Sequence, residues 1–144
     1  MNLGTLMSTL AQERGLISSR DELRNLPAAT RQSLRLMALT SLPPDGIVDT
    51  HLSIRTVNGL EPSLPSGGRA WGKIVLLEAP AATILERRRS RSGRVDSEDT
   101  VAMLDGQQGY NRMLAHRLLS AQVIILDATR SVLELAADLR QLLS

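Results

Sequence analysis

Sixteen of the seventeen basic residues are arginine, and Lys73 is the one lysine. An arginine guanidinium stays charged and presents a planar fork of donors that fits phosphate oxygens two at a time. The densest run of them is Arg87-Arg88-Arg89-Ser90-Arg91-Ser92-Gly93-Arg94. A codon bias in a GC-rich genome would enrich arginine equally well, and residues 87–94 also read as a solvated helix end favoured by the dipole.

The polar groups near these arginines are fewer. Asp49, Glu78 and Asp127 each close an apolar run. Asp49 could organise magnesium through water or cap a turn. His51 could be a base, a ligand, or a strand-end histidine satisfied by hydrogen bonds. His116 is the only other histidine and there is no cysteine, so neither a histidine-based metal site, a thiolate site nor a disulfide is expected. Trp71 and Tyr110 are the only aromatics, too few for a single-strand stacking platform. Trp71 reads as packing or a base contact, and Tyr110 as core or interface.

One segment nearly matches a phosphate loop. Gly67-Gly68-Arg69-Ala70-Trp71-Gly72-Lys73 begins the pattern G-x-x-x-x-G-K-[ST], but Ile74 supplies no hydroxyl for magnesium. Such a loop must leave a strand and open a helix so that amides face the phosphates. This one runs straight into the apolar Lys73-Ile74-Val75-Leu76-Leu77-Glu78, and no other lysine is available. The sequence carries no phosphate loop.

The elements that must position these groups follow from the pattern. Residues 5–14 read as a helix with Leu6 and Leu10 one turn apart and Gly15 just past its end. Ser19 and Glu22 form a capping box ahead of a short helix bearing Leu23 and Leu26. Pro27 suits the first turn of a helix that aligns Leu34, Met37 and Ala38. After the stop at Pro43-Pro44-Asp45-Gly46, residues 46–51 read as a short buried strand and 52–72 as loop. Residues 73–78 are a second strand, Pro80 opens a helix into the basic stretch, and a long helix spans about 97–120 despite Gly106 and Gly109. Residues 122–127 are a third strand. Ser131 and Glu134 form another capping box before a helix striped by Val132, Leu135, Leu139 and Leu142. Apolar strands separated by helices predict an α/β fold with a parallel sheet covered on both faces and a ligand at the strands' C-terminal ends.

Several motifs in order resemble the archaeal adenylate kinases. Asn2-Leu3-Gly4-Thr5-Leu6-Met7 is similar to that family's N-Y-G-[DT]-x-M, and Arg20-Asp21-Glu22-Leu23-Arg24-Asn25-Leu26 to its R-D-E-[ML]-R-x-L. Asp49-Thr50-His51-Leu52-Ser53-Ile54-Arg55-Thr56 resembles D-T-H-x-x-I-R-T. It is followed by Gly59, Pro62 and Leu64-Pro65-Ser66, where the family reads G-Y-x-P-G-L-P. Leu76-Leu77-Glu78-Ala79 with Ile84-Leu85 resembles the strand and helix before the lid. Residues 87–97 correspond to that lid, about two residues shorter. Leu60 stands in place of an aromatic and Ser63 in place of a glycine.

The resemblance implies a P-loop kinase-like parallel sheet with helices on both faces, lacking the first strand and phosphate loop. Residues 1–42 would be the monophosphate-binding helices, 43–86 and 121–144 the core, and 87–97 the lid. It further implies transfer of the terminal phosphate of MgATP to AMP. Gly4, Met7, Arg24, Asp49, Thr50, His51 and Arg55 would bind AMP. Arg87, Arg94 and Asp127 would bind ATP, and Arg87, Arg91 and Arg94 would act on the migrating phosphate. Mg2+ would come with ATP, and the chain would associate as a homo-oligomer, a trimer. In such kinases the first strand lies between those represented by 47–51 and 73–78, which here must keep an unpaired edge each or pair together. Without the loop's oriented amides, little turnover is expected. Met1 could be an internal start, the chain a piece of a longer protein, or a loopless relative.

Composition sets the remaining bounds. A chain of 144 residues buries one ordinary core, with 42% apolar and 22% charged residues. No apolar run approaches the ~18 residues of a membrane span, and no secretory leader is apparent, so a cytoplasmic protein is expected. A net charge of +2 speaks against broad nucleic-acid coating. A kinase for another monophosphate and a non-catalytic nucleotide- or RNA-binding module stay open as alternatives.

Overall fold

The computed structural model describes residues 1–56, 58–64, 71–90, 99–118 and 122–143. The chain divides into two compact units, Met1–Ala70 and Trp71–Ser144. Residues 43–86, read from sequence as part of one core, are shared between them.

The first unit starts with helix α1, Leu3–Glu13. Asn2 caps it by accepting from the Thr5 amide at 2.9 Å and the Thr5 hydroxyl at 3.2 Å, which satisfies donors that the first turn leaves without partners. At the other end Gly15 turns left-handed, with φ of 65°. That turn lets the Gly15 amide reach the Gln12 carbonyl and the Leu16 amide reach the Ala11 carbonyl, both at 2.9 Å. Both bonds together make a Schellman close, where a side chain at position 15 would be strained. A 3-10 helix follows at Arg20–Asn25, then α2 at Ala28–Thr40 with Pro27 as its N-cap. Leu3, Met7 and Ala11 of α1 and Leu34, Ala38 and Leu39 of α2 are buried and form the core of this unit.

Glu22 does not close the expected capping box around the Ser19 backbone. Its carboxylate instead accepts from the Ser18 amide at 2.8 Å and the Ser19 hydroxyl at 3.2 Å. The tighter 3-10 turn displaces the acceptor by one residue.

Residues 46–51 are not the buried strand that their apolar run predicts. Ile47 is 60% exposed. Among the described residues the segment pairs with the start of the chain, through a parallel bridge between Asn2 and Asp49. The Asp49 amide donates to the Met1 carbonyl at 2.8 Å and the Leu3 amide to the Asp49 carbonyl at 3.0 Å. A ladder this short leaves the outer residues in solvent.

Residues 53–62, read as loop, form an antiparallel hairpin instead: β1 (Ser53–Thr56) pairs with β2 (Gly59–Pro62), with Thr56 opposite Gly59. Gly59 adopts φ of 111°, which a side chain would resist. Thr56 Oγ1 accepts from the Asn58 amide at 3.2 Å and donates to Glu61 at 2.8 Å, so one hydroxyl ties the turn to both arms.

The second unit holds the parallel pair β3 (Lys73–Glu78) and β4 (Gln122–Asp127), in register from Lys73 opposite Gln122 to Glu78 opposite Asp127. The pair is therefore α/β as expected, but among the described residues it has two strands, not three. The 47–51 segment pairs with residues 1–3 in the first unit. Leu76 is buried, while Leu77 is 58% and Ile125 47% exposed. Helices α3 (Ala81–Ser90) and α4 (Val101–Leu118) pack through Ala81, Ile84, Leu85 and Leu104.

Helix α5 (Val132–Leu143) begins with the predicted capping box. The Glu134 amide donates to Ser131 Oγ at 3.3 Å, and the Glu134 carboxylate accepts from the Ser131 amide at 2.9 Å. Leu135, Leu139 and Leu142 are half-buried, but Val132 is 81% exposed and drops out of the stripe because the first turn overhangs solvent. Lys73 donates to the Leu142 carbonyl, an acceptor in the last turn of α5 that has no partner within the helix. The lone lysine thus serves at the start of a strand, as its sequence context requires, and not in a phosphate loop.

Candidate functional site

A cavity of about 680 Å³ opens in the first unit. Its walls come from four short pieces that the fold has just placed: the N-terminus of α1, the 3-10 helix, one side of α2, and the stretch from Asp49 into the hairpin. Asn2, Leu3, Gly4 and Met7 come from the first, and Arg20, Asp21, Leu23 and Arg24 from the second. Arg31 and Arg35 come from α2, and Asp49, Thr50, His51, Ile54, Arg55, Thr56 and Ser63 from the last. The volume suits a small organic ligand.

The charge balance of the lining is lopsided. Arg20, Arg24, Arg31, Arg35 and Arg55 face two carboxylates, Asp21 and Asp49. Asp21 is partly spent on Arg24, whose guanidinium lies 3.4 Å away with both side chains largely in solvent. Such an exposed pair contributes little. Asp49 accepts from Asn2 Nδ2 at 2.7 Å. That bond fixes the Asn2 amide, whose oxygen caps α1 while its nitrogen steadies the carboxylate. Gly4 keeps the adjacent wall thin: a methyl there would sit 3.3 Å from Asn2 Oδ1 and 3.6 Å from the Arg20 guanidinium.

The two arginines of α2 differ in use. Arg31 Nη1 donates to the Arg24 carbonyl at 2.6 Å and to the Leu26 carbonyl at 2.8 Å, so it clamps the end of the 3-10 helix. Arg35 is only 7% exposed and donates to Gln32 Oε1 at 3.0 Å, while its Nε has no partner among the described residues. Burial, and then the neighbouring charge of Arg31, push the Arg35 guanidinium below its ordinary pKa.

A second polar cluster lies in the other unit, at the C-terminal ends of β3 and β4. Arg112 of α4 grips Glu78 with both nitrogens of its fork, Nε lying 2.8 and 3.0 Å from the two carboxylate oxygens. The hydrogen bond and then the charge of Glu78 raise the Arg112 pKa. Asp127 Oδ1 accepts from the Thr129 amide at 2.8 Å and its hydroxyl at 2.7 Å. These bonds, the hydroxyl's first, hold the Asp127 carboxyl below its usual range, with Arg130 and Arg87 adding to the effect. Arg87 Nη1 donates to the Ala128 carbonyl at 3.0 Å. Arg88 pairs at 2.6 Å with Asp99, whose side chain is almost wholly buried. Among the described residues no cluster of three or more metal-ligating side chains occurs, and no helix is long and apolar enough to cross a membrane.

Gly4, Met7, Arg24, Asp49, Thr50, His51 and Arg55, the residues to which the resemblance gives an AMP-binding role, all line the one cavity. Arg87 and Asp127 meet at the strand tips of the second unit, whereas Arg91 and Arg94 lie outside the described residues. Sequence reasoning passed over Arg20, Arg31 and Arg35, and the Glu78–Arg112 pair. Arg31 and Arg35 did leave a signal, since arginines four apart share a helix face.

Comparison with known proteins places this arrangement. Residues 1–105 match the family described as AAA domain. The chain is 36% identical over 124 residues to the adenylate kinase of Thermoplasma acidophilum, covering 80% of this chain and 66% of that one. It is 32% identical over 148 residues to the adenylate kinase of Methanopyrus kandleri, covering 93% and 73% respectively. The adenylate kinase of Saccharolobus solfataricus is 32% identical over 139 residues, with 85% and 71% covered. The chain belongs to the adenylate kinase family, an α/β, P-loop-kinase-like group of phosphotransferases. It spans 66% of the length of the Thermoplasma acidophilum relative.

Proposed function

We propose that this chain is the greater part of an adenylate kinase that passes the terminal phosphate of MgATP to AMP, giving two molecules of ADP. The observation that carries the reading is the arginine-lined cavity of the first unit, large enough for a nucleotide and short of carboxylates to neutralise it. Arg24 and Arg55 hold the AMP phosphate, Gly4 and Met7 form the wall beside it, and Asp49, Thr50 and His51 line the strand tip. Arg87, with Arg91 and Arg94, faces the ATP side with Asp127 and offsets the charge of the migrating phosphoryl group. Residues 87–97 are the lid.

The family implies Mg2+ with ATP, and the donor set fits it. Magnesium needs only one or two carboxylates when phosphates and waters complete its shell. Asp49 Oδ1 has no partner among the described residues and can take a magnesium-bound water. The ion, when bound, would neutralise the ATP phosphates. The 144 residues include no glycine-rich loop that opens a helix, so we propose that they turn over slowly by themselves. Oriented amides around a transferring phosphate are worth more than flexible cations.

A coupled assay of ADP formation from ATP and AMP, run beside calorimetric titration with AMP, GMP, CMP and adenosine, tests the reading. AMP should bind more tightly than the other monophosphates and far more tightly than adenosine. A version given an N-terminal strand, phosphate loop and helix should be the faster catalyst. Indifference to every monophosphate, with steeply salt-dependent RNA binding instead, would move the assignment to a nucleic-acid-binding module.

A further inference from the structure

We propose that Arg35 is a phosphate-binding residue of the cavity, kept buried for the anion of the ligand and not for the stability of the fold. The proposal rests on the reading of the cavity as a monophosphate site only for the identity of the ligand.

A buried guanidinium is ordinarily compensated by a carboxylate or by hydrogen bonds to all its donors. Arg35 has neither. Its one side-chain partner among the described residues is the neutral Gln32 amide, and its Nε is left without an acceptor although the side chain lies 93% out of solvent. The cavity's two carboxylates are directed elsewhere, Asp21 to Arg24 and Asp49 to Asn2. Arg31, one helical turn earlier, adds a like charge and spends its own donors on the Arg24 and Leu26 carbonyls.

A folded chain that served only its own stability would gain by an apolar residue of the same volume here, because removing an unpaired buried cation removes a penalty. A dianionic phosphate monoester in the cavity that Arg35 lines supplies what is missing: a countercharge for the guanidinium, which also relieves the repulsion between Arg31 and Arg35. Arg35 thereby differs from Arg24, whose side chain is 75% exposed and has a carboxylate partner in Asp21.

The test compares the full chain with Arg35→Met, which keeps the stem and removes the charge, and Arg35→Lys, which keeps the charge and removes the fork. Thermal unfolding is followed without ligand and with inorganic phosphate, AMP or adenosine, and AMP affinity is measured by calorimetry. Without ligand, Arg35→Met should unfold at or above the wild-type temperature. Its AMP affinity should fall roughly 10- to 100-fold, as expected for losing a charge-assisted hydrogen bond in a desolvated site. Stabilisation by phosphate should vanish in Arg35→Met and return in part in Arg35→Lys, with adenosine indifferent to both.

Arg35→Met that melts below wild type without ligand would make Arg35 a structural residue and overturn the proposal. So would wild-type AMP affinity in a folded Arg35→Met, and that result would leave the kinase reading intact. Stabilisation of the wild type by inorganic phosphate but by no nucleotide, lost in Arg35→Met, would support Arg35 as an anion ligand and end the adenylate kinase reading.

Discussion

Replacing Arg31 by methionine removes two hydrogen bonds at once, because a single nitrogen serves both the Arg24 carbonyl at 2.6 Å and the Leu26 carbonyl at 2.8 Å. A bond from a charged donor contributes about 1.5–3 kcal/mol where water is excluded, and much less where the acceptor can turn to solvent. The Arg24 bond is exposed and the Leu26 bond partly buried, so roughly 2 kcal/mol is expected for the pair. The loss is local. The six-residue 3-10 helix has no fully buried side chain of its own to hold it, so it should open more often while the packing of α1 on α2 stays intact. At a factor of ten per 1.4 kcal/mol, amide exchange across residues 20–26 should quicken roughly 30-fold. Hydrogen exchange read by mass spectrometry resolves that segment from α1 and α2. AMP affinity should fall with it, since Arg24 then loses its fixed backbone. Unchanged protection of residues 20–26 in a folded Arg31→Met protein would refute the clamp, and the argument that Arg31 and Arg35 divide structural and ligand roles would go with it.

Two further outcomes follow from the packing and the caps. Leu34 is 2% exposed between α1 and α2, so Leu34→Ala should lower stability by about 2–5 kcal/mol, read as a lower urea midpoint with unchanged denaturant slope. Ser131→Ala should weaken the start of α5 at neutral pH. The Ser131 hydroxyl, then its amide, hold the Glu134 carboxyl below its usual range. A carboxyl with a depressed folded pKa contributes stability above its unfolded pKa and loses it as the pH falls through the folded one. The gap between wild type and Ser131→Ala should therefore narrow in acid to what the Ser131 cap on the Glu134 amide contributes, and a gap that widened there would contradict the assignment.

Much of the helical framework was legible because its signals are local. Gly15 needed only its place after a periodic run, and Ser131 and Glu134 needed only their spacing. The hairpin was legible too in part: Asn58-Gly59 is a turn signal, but Ser53-Ile54-Arg55-Thr56 lacks the apolar alternation that marks a half-buried strand. Residues 47–49 misled for the opposite reason, since a run of apolar residues predicts burial only if a neighbour arrives on both sides. The cavity was readable through Arg24 and Arg55, which sit in motifs. Arg35 was not, because the apolar positions Leu34 and Ala38 put it at the edge of a helix face where an arginine ordinarily reaches water. Arg35 comes to line the cavity beside residues as distant in the chain as Ser63, and Glu78 meets a partner 34 positions away in Arg112.

The lining of the cavity runs from Asn2 to Ser63 and ends before the second unit begins at Trp71. On a ribosome, chains emerge from the N-terminus and domains tend to fold as units in that order. Every cavity side chain is therefore synthesised ahead of β3 and β4. An anion bound by the cavity arginines would then act as a folding ligand for the first unit by itself, with no contribution from β3 or β4.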